Sequence, residues 1–200
     1  QITHENLRLR DARFVENVET NFTNKVRLQG LEIPDGTPPM FTPFKLRDIT
    51  LVNRVVVSPM DMYSSEDGTV GDFHFVHLGS MAMGGAGLVF SEMTCVSRDG
   101  RITPGCAGLY KPEHVDAWAR VIDYVHGQSD AKFCMQIGHA GRKGSTRVAW
   151  EGMDKPLEKG NWPLIAPSSI PFYPFNNIPR EMTDRDMTAV TADFVSAACK

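Results

Sequence analysis

The pattern of polar and apolar positions changes near Pro38-Pro39. Up to there charges run through Asn6-Leu7-Arg8-Leu9-Arg10-Asp11 and Glu16-Asn17-Val18-Glu19, and the stretch closes in the structure-breaking cluster Pro34-Asp35-Gly36-Thr37-Pro38-Pro39. Residues 1–39 therefore read as a linker or leader. With no initiator Met, this lead-in suits a chain cut from a larger protein, or equally a cloned fragment. From residue 40 the pattern is that of a folded domain. Phe44-Lys45-Leu46 and Ile49-Thr50-Leu51 flank the polar pair Arg47-Asp48, as the arms of a small β-hairpin would. Arg54-Val55-Val56-Val57, stopped at Ser58-Pro59, predicts a short buried strand.

Two further runs, Gly87-Leu88-Val89-Phe90-Ser91 and Lys132-Phe133-Cys134-Met135-Gln136-Ile137, lack the alternation of a strand with one wet face. Such runs predict strands of a parallel sheet, buried on both sides. Between them lie helical patterns. Phe73 to Met83 is mostly apolar and ends in Gly84-Gly85; Pro112-Glu113 opens a segment with Val115, Trp118, Ile122 and Val125 at helical spacing. A Pro-rich and aromatic passage from Trp150 to Pro179 is expected to cover the site. Thr183 and Asp186 then form a weaker capping box ahead of Met187, Val190, Phe194 and Ala198, a helix expected to reach the end of the chain without a cap.

Strand and helix in threefold alternation imply an α/β fold with right-handed crossovers, as an open sheet or a barrel. A full β/α barrel takes about 250 residues, so on the barrel reading this chain is the N-terminal portion of a TIM (β/α)8 barrel, truncated and preceded by a short β-hairpin. Half a barrel would expose strand edges and helix faces, so the fragment alone is expected to be inactive.

Composition narrows the function. Lys plus Arg number 21 against 24 Asp plus Glu, giving a net charge of −3 with the signs mixed, so nothing calls for nucleic acid. No segment approaches the roughly 18 apolar residues of a membrane span, and the start has no signal-peptide layout; the expectation is a cytoplasmic protein, with a homo-oligomer allowed. Cys95, Cys106, Cys134 and Cys199 are scattered, which predicts buried or incidental free thiols. His74 and His77 could share a helix face but lack a third ligand, so no metal site is expected.

Barrel chemistry sits on the loops after the strands. After the first strand comes Ser58-Pro59-Met60-Asp61-Met62-Tyr63, and after the second Glu92-Met93-Thr94-Cys95. The third carries Gln136 and leads into His139-Ala140-Gly141-Arg142-Lys143-Gly144. Together these ends offer an amide, a carboxylate, a phenol, an imidazole and two cations, a set suited to a planar heteroaromatic ligand or an anionic substrate. Met81-Ala82-Met83-Gly84-Gly85-Ala86-Gly87 is not a dinucleotide loop, because it follows a helix and precedes a strand. An aldolase-type barrel would need a Schiff-base Lys or a metal cluster, and the strand ends supply neither.

Phe41-Thr42-Pro43-Phe44, Leu51-Val52-Asn53-Arg54, Ser58-Pro59-Met60 with Tyr63, and Gln136-Ile137-Gly138-His139-Ala140-Gly141-Arg142-Lys143 resemble the old yellow enzyme family, the FMN-dependent NAD(P)H:flavin oxidoreductases and ene-reductases. The likeness covers about residues 40–200. It implies an FMN site walled by Ser58, Pro59, Met60 and Asp61, with Met93 beside it and Gln136 bonded to the pyrimidine edge of the ring. It also implies Tyr63 as a substrate-facing phenol, Lys143 as a rim cation, and structural roles for His139 and Arg142. NADH or NADPH would be the reductant, and the acceptor an electron-poor alkene or related small molecule. The family's substrate-anchoring His/Asn or His/His pair and its flavin-phosphate loops belong to later strands. The leader ahead of such a barrel is similar to bifunctional proteins in which a flavin monooxygenase precedes it and acts on an aromatic acyl-CoA, such as salicylyl-CoA or aminobenzoyl-CoA. One position departs from the pattern: Asp61 stands where members commonly carry Cys or Thr. Ionised, it would repel a reduced flavin; protonated, it could donate to one. The contrasting reading is a non-catalytic barrel remnant that binds flavin or a protein partner.

Overall fold

The computed structural model describes residues 12–200. Residues 1–11 of the expected leader lie outside the described part, and the remainder holds an element that the sequence reading did not assign, helix α1 (Ala12–Leu28). Its apolar side chains Val15, Val18, Phe22 and Val26 recur at helical spacing among charges. Val26 is fully buried, and the Arg54 guanidinium lies 5.0 Å from the Phe22 ring and 4.9 Å from that of Phe44. Arg54 also donates from Nε to Thr42 Oγ1 at 2.8 Å. Helix formation here depends on tertiary packing against residues beyond the Pro-rich break.

The hairpin is as expected. Strands β1 (Phe44–Leu46) and β2 (Ile49–Leu51) pair antiparallel with Phe44 opposite Leu51, and Arg47 takes a turn conformation at φ 53°. The central sheet has parallel strands in the order β3 (Val56–Val57), β4 (Leu88–Cys95), β5 (Lys132–Gly138). Helices α2 (Asp72–Met83) and α3 (Pro112–Gln128) make the crossovers. The core fills the space between helices and sheet: Leu78, Val89, Trp118, Val121 and Val125 are buried, with Val55, Val57, Phe133, Met135 and Ile137 packed against them.

The strands differ from expectation in two ways. Burial on both faces is not found among the described residues, since Val56 is 47% exposed and Phe90 and Cys134 are only partly covered. Successive strand side chains point to opposite faces, and the crossover helices cover one of them. The second difference is length, because β4 runs on from the expected Ser91 to Cys95. Its register shifts between Phe90 and Met93, and the buried Ser91 Oγ accepts from Gln136 N at 3.0 Å across this irregularity. Glu92 and Met93 thus lie within a strand and not in the loop that follows it.

After β5 the chain forms a short helix α4 (Ala149–Gly152) and the parallel pair β6 (Ile165–Ala166) and β7 (Arg180–Glu181). Helix α5 (Asp184–Ala198) follows with the expected capping box, Asp186 N donating to Thr183 Oγ1 and Thr183 N to Asp186 Oδ2. Thr183→Ala should therefore destabilise the fold by about 1 kcal/mol, read as a lower urea midpoint at unchanged slope. Helix α5 runs nearly to the end of the sequence, where Cys199 N donates to Val195 O at 3.1 Å in the helical pattern.

Candidate active site

The β3–β4 ladder stops at Val57 opposite Val89, so Ser58–Tyr63 cannot be held by strand pairing. Side chains hold it instead. Met93 N donates to Asp61 Oδ1 at 3.1 Å, and Met62 N donates to Glu92 Oε2 at 3.2 Å, a reciprocal clamp between neighbouring residues on the two elements. Glu92 is buried and also bonds His74 Nε2 through Oε1 at 2.8 Å. His74 Nδ1 accepts from Gly71 N at 3.2 Å, which leaves its proton on Nε2 and makes that nitrogen the donor to Glu92.

Tyr63 ends the segment in a left-handed conformation, φ 50°, which is uncommon for a bulky residue. Gly105 allows it: a Cβ there would lie 2.2 Å from Tyr63 O. Cys95 and Cys106, free and buried as expected, pack behind Tyr63 and Met93 with Ile102. Thr103 N donates to Cys106 Sγ at 3.3 Å, and the Cys95 thiol to the same sulfur, which holds the Cys106 thiol below its usual range and pushes the Cys95 thiol up.

Met93 and Gln136 are register partners on adjacent strands, and the Met93 side chain lies against Gly138, where a Cβ would come within 2.7 Å of its Cγ. Gln136 and Met60 are exposed, on the open side of the sheet end. The cavity lined by Ser58, Met60, Met62, His74 and Glu92 measures only ≈ 10 Å³. That is about one water's room, so a planar ligand would lie on the open side of the wall.

Three groups singled out by the sequence meet electrostatically. Burial first, then the Glu92 charge, pushes the Asp61 carboxyl above its usual range, against the Met93 N–H and Lys143. Burial, then the charges of Asp61, Cys106, Asp154 and Glu92, raises the Tyr63 phenol, which keeps its proton through the neutral range. Lys143 stands over the Phe172 ring at 5.3 Å and 3.5 Å from Asp154, so the aromatic passage reaches the rim. His139 and Arg142 do local work. His139 Nδ1 accepts from Gly141 N at 3.0 Å, while Arg142 bonds Ile170 O and Ser168 Oγ at 2.9 and 3.1 Å.

The sequence marks Glu92 only as part of the second strand's end and His74 only as half of a rejected metal pair, and it does not mark Asp154; all three enter the site. A carboxylate inside a strand, and a histidine on the apolar helix beside it, were the available signals for the first two; Asp154 sits in loop sequence that carries none.

Residues 39–200 match the NADH:flavin oxidoreductase / NADH oxidase family. The chain belongs to this family. It is 43% identical over 161 residues to an NADPH dehydrogenase of Listeria monocytogenes serotype 4a, spanning 80% of this chain and 43% of that protein. It is 36% identical over 168 residues to the NADH:flavin oxidoreductase FG08077 of Gibberella zeae, spanning 82% and 40%. The chain thus spans less than half the length of these relatives. Among solved structures, the old yellow enzyme from Pichia sp. AKU4542 superposes with a TM-score of 0.66 at 23% identity, over 80% of this chain and 42% of that one. Morphinone reductase in complex with tetrahydroNAD gives 0.65 at 22%, over 81% and 46%. These likenesses settle the fold between open sheet and barrel: the β/α units are the N-terminal portion of the TIM barrel that this family shares. They also agree with the sequence resemblance at the level of the family. No helix among the described residues is long and apolar enough to cross a membrane, and no cluster there could hold a metal.

Proposed function

We propose that the protein of which this chain is a part binds FMN, takes hydride from NADH or NADPH, and passes it to an electron-poor alkene or an aromatic acyl-CoA-derived acceptor. The observation that carries this reading is the meeting, at the carboxyl ends of three parallel strands, of Ser58, Met93 and Gln136 on one open rim. No hydrogen-bond partner engages the Gln136 amide or the Ser58 hydroxyl among the described residues, so donors and acceptors stand ready for the edge of a heteroaromatic ring. These residues fit FMN. Bound there, FMN would supply a two-electron hydride carrier, and its chemistry would be the cofactor's own.

The chain's part is to bind, orient and supply protons. Gln136 would read the pyrimidine edge, with Ser58, Pro59, Met60 and Met93 against the ring. Tyr63, kept protonated, would face the substrate as a hydrogen-bond or proton donor. Lys143 would hold an anionic substrate group at the rim, steadied by Asp154. The passage containing Phe172 would close over the acceptor and exclude water. The acyl-CoA member of the acceptor class rests on the leader's likeness to bifunctional monooxygenase/reductases, and it would place the protein in the cytoplasm.

Anaerobic titration of the full-length, FMN-loaded protein tests the reading. NADH or NADPH should bleach the flavin, and an enone or aromatic acyl-CoA should restore its colour. Flavin that binds but is never bleached favours the non-catalytic remnant; failure to retain FMN removes the reading altogether. Gln136→Leu should weaken FMN binding by about tenfold, the worth of roughly one hydrogen bond, in a fluorescence-quenching titration.

A further inference from the structure

The clamp that holds Ser58–Tyr63 puts two carboxyl groups into one wall. They are not equivalent. Glu92 accepts from two N–H groups, Met62 N and His74 Nε2, while Asp61 accepts from Met93 N alone. His74 in turn is fixed as a donor by the amide of Gly71 and is itself buried. A carboxylate with more N–H donors keeps its charge more readily, and a like charge beside it disfavours ionisation of the other. Asp61 Oδ1 is committed to Met93 N, and among the described residues Oδ2 has no hydrogen-bond partner.

We infer that Glu92, oriented by His74, is a positioning residue that keeps the proton on Asp61, making Asp61 a neutral hydrogen-bond donor in the wall of the cofactor site. The role in catalysis rests on the flavin reading above; the proton's location does not. A neutral Asp61 would donate toward an anionic reduced ring where an ionised one would repel it.

The other groups around Asp61 do not reverse this. On its own segment Tyr63 is a neutral phenol. From β4 and the loop after it come Glu92 and the thiols Cys95 and Cys106. From the turn after β5 comes Lys143, the one cation among the described residues that acts on Asp61, and Asp154 is paired with it at 3.5 Å. From α2 comes His74, which reaches Asp61 only through Glu92.

The test uses the full-length protein, with and without FMN, and follows the infrared band of protonated carboxyl groups against pH. In the protein as it stands a band should persist above the ordinary carboxylate range and vanish in Asp61→Asn. In Glu92→Gln it should be lost at a lower pH, since a neighbouring negative charge has gone. If Glu92→Gln fails to fold, 13C NMR titration of the Asp carboxyls in the unmodified protein decides the matter. An Asp61 that titrates in the ordinary carboxylate range, or a band that Glu92→Gln leaves in place, overturns the inference. On the flavin-loaded protein the midpoint potential should show a break against pH that Asp61→Asn removes; a profile shared by the two proteins overturns the catalytic role. Lack of FMN binding would instead sink the flavin reading, while the infrared result on the cofactor-free protein would still judge the Asp61–Glu92 pair.

Discussion

Trp118→Ala is expected to abolish the cooperative unfolding transition of this part of the protein or to lower its midpoint sharply. The side chain is 1% exposed, in the layer between α3 and the sheet, and its Nε1 donates to Gly108 O at 3.2 Å. Its ring centroid lies 6.1 Å from that of Phe133 on β5 and 6.3 Å from that of His74 on α2. Truncating such a residue typically costs about 3–5 kcal/mol, against a net stability of roughly 5–15 kcal/mol for a whole domain. Because His74 supports Glu92, the loss should reach the Ser58–Tyr63 wall as well. Urea unfolding followed by circular dichroism checks this, and a midpoint within error of the parent would show that the helix layer does not depend on this ring.

Gly105→Ala should leave the fold largely in place and cripple the site. The new Cβ would stand 2.2 Å from Tyr63 O and 2.7 Å from Tyr63 C, both backbone atoms with no rotamer to escape into. Ser65 N donates to Gly105 O at 3.0 Å, so the two loops are bonded as well as packed, and one must move. Displacement of a substrate-positioning group by about 1 Å can cost on the order of 100-fold in rate, which is the fall in kcat/KM expected of the full-length enzyme with an enone acceptor. Gly127→Ala is the control. It lies inside α3 with nothing within 4 Å of an added Cβ, and should stabilise the protein by about 1 kcal/mol without touching turnover.

The raised Asp61 carboxyl has a consequence for stability against pH. A group more easily protonated in the folded state than in the unfolded one contributes stability that is fully present below its unfolded pKa and fades as pH rises through its folded one. Asp61→Asn keeps an oxygen for Met93 N and removes the ionisation. It should therefore raise the melting temperature more at pH 8 than at about pH 4, near the ordinary carboxylate value; an equal shift at both would mean that the Asp61 carboxyl is not raised by folding.

Much of the fold was legible because its determinants are local. The polar pair Arg47-Asp48 between alternating runs set the hairpin, Gly84-Gly85 ended α2, Pro112 began α3, and Thr183 with Asp186 capped α5. The strand ends that gather the candidate site followed from the same punctuation, and the ordered motifs from Phe41 to Lys143 pointed to the family. Where polar residues interrupted the apolar pattern the reading stopped early. Ser91 and Thr94 hide β4's last turn of pairing from a search for apolar runs, yet Ser91 Oγ takes a place in the ladder. Helix α1 is hidden in the sequence because its charges outweigh its narrow apolar stripe until Arg54 and Phe44 are brought against it.

By itself, then, the sequence determined the alternation of β and α elements and which side chains follow each strand, since turn chemistry and side-chain periodicity act over a few residues. Only the tertiary structure decided how Ser58–Tyr63 is held. Asp61 meets Met93 and Glu92 meets Met62 across sequence separations of 32 and 30, contacts that no local pattern encodes. The raised Asp61 carboxyl likewise depends on burial and on the Glu92 charge beside it, which elements joined only by folding bring together.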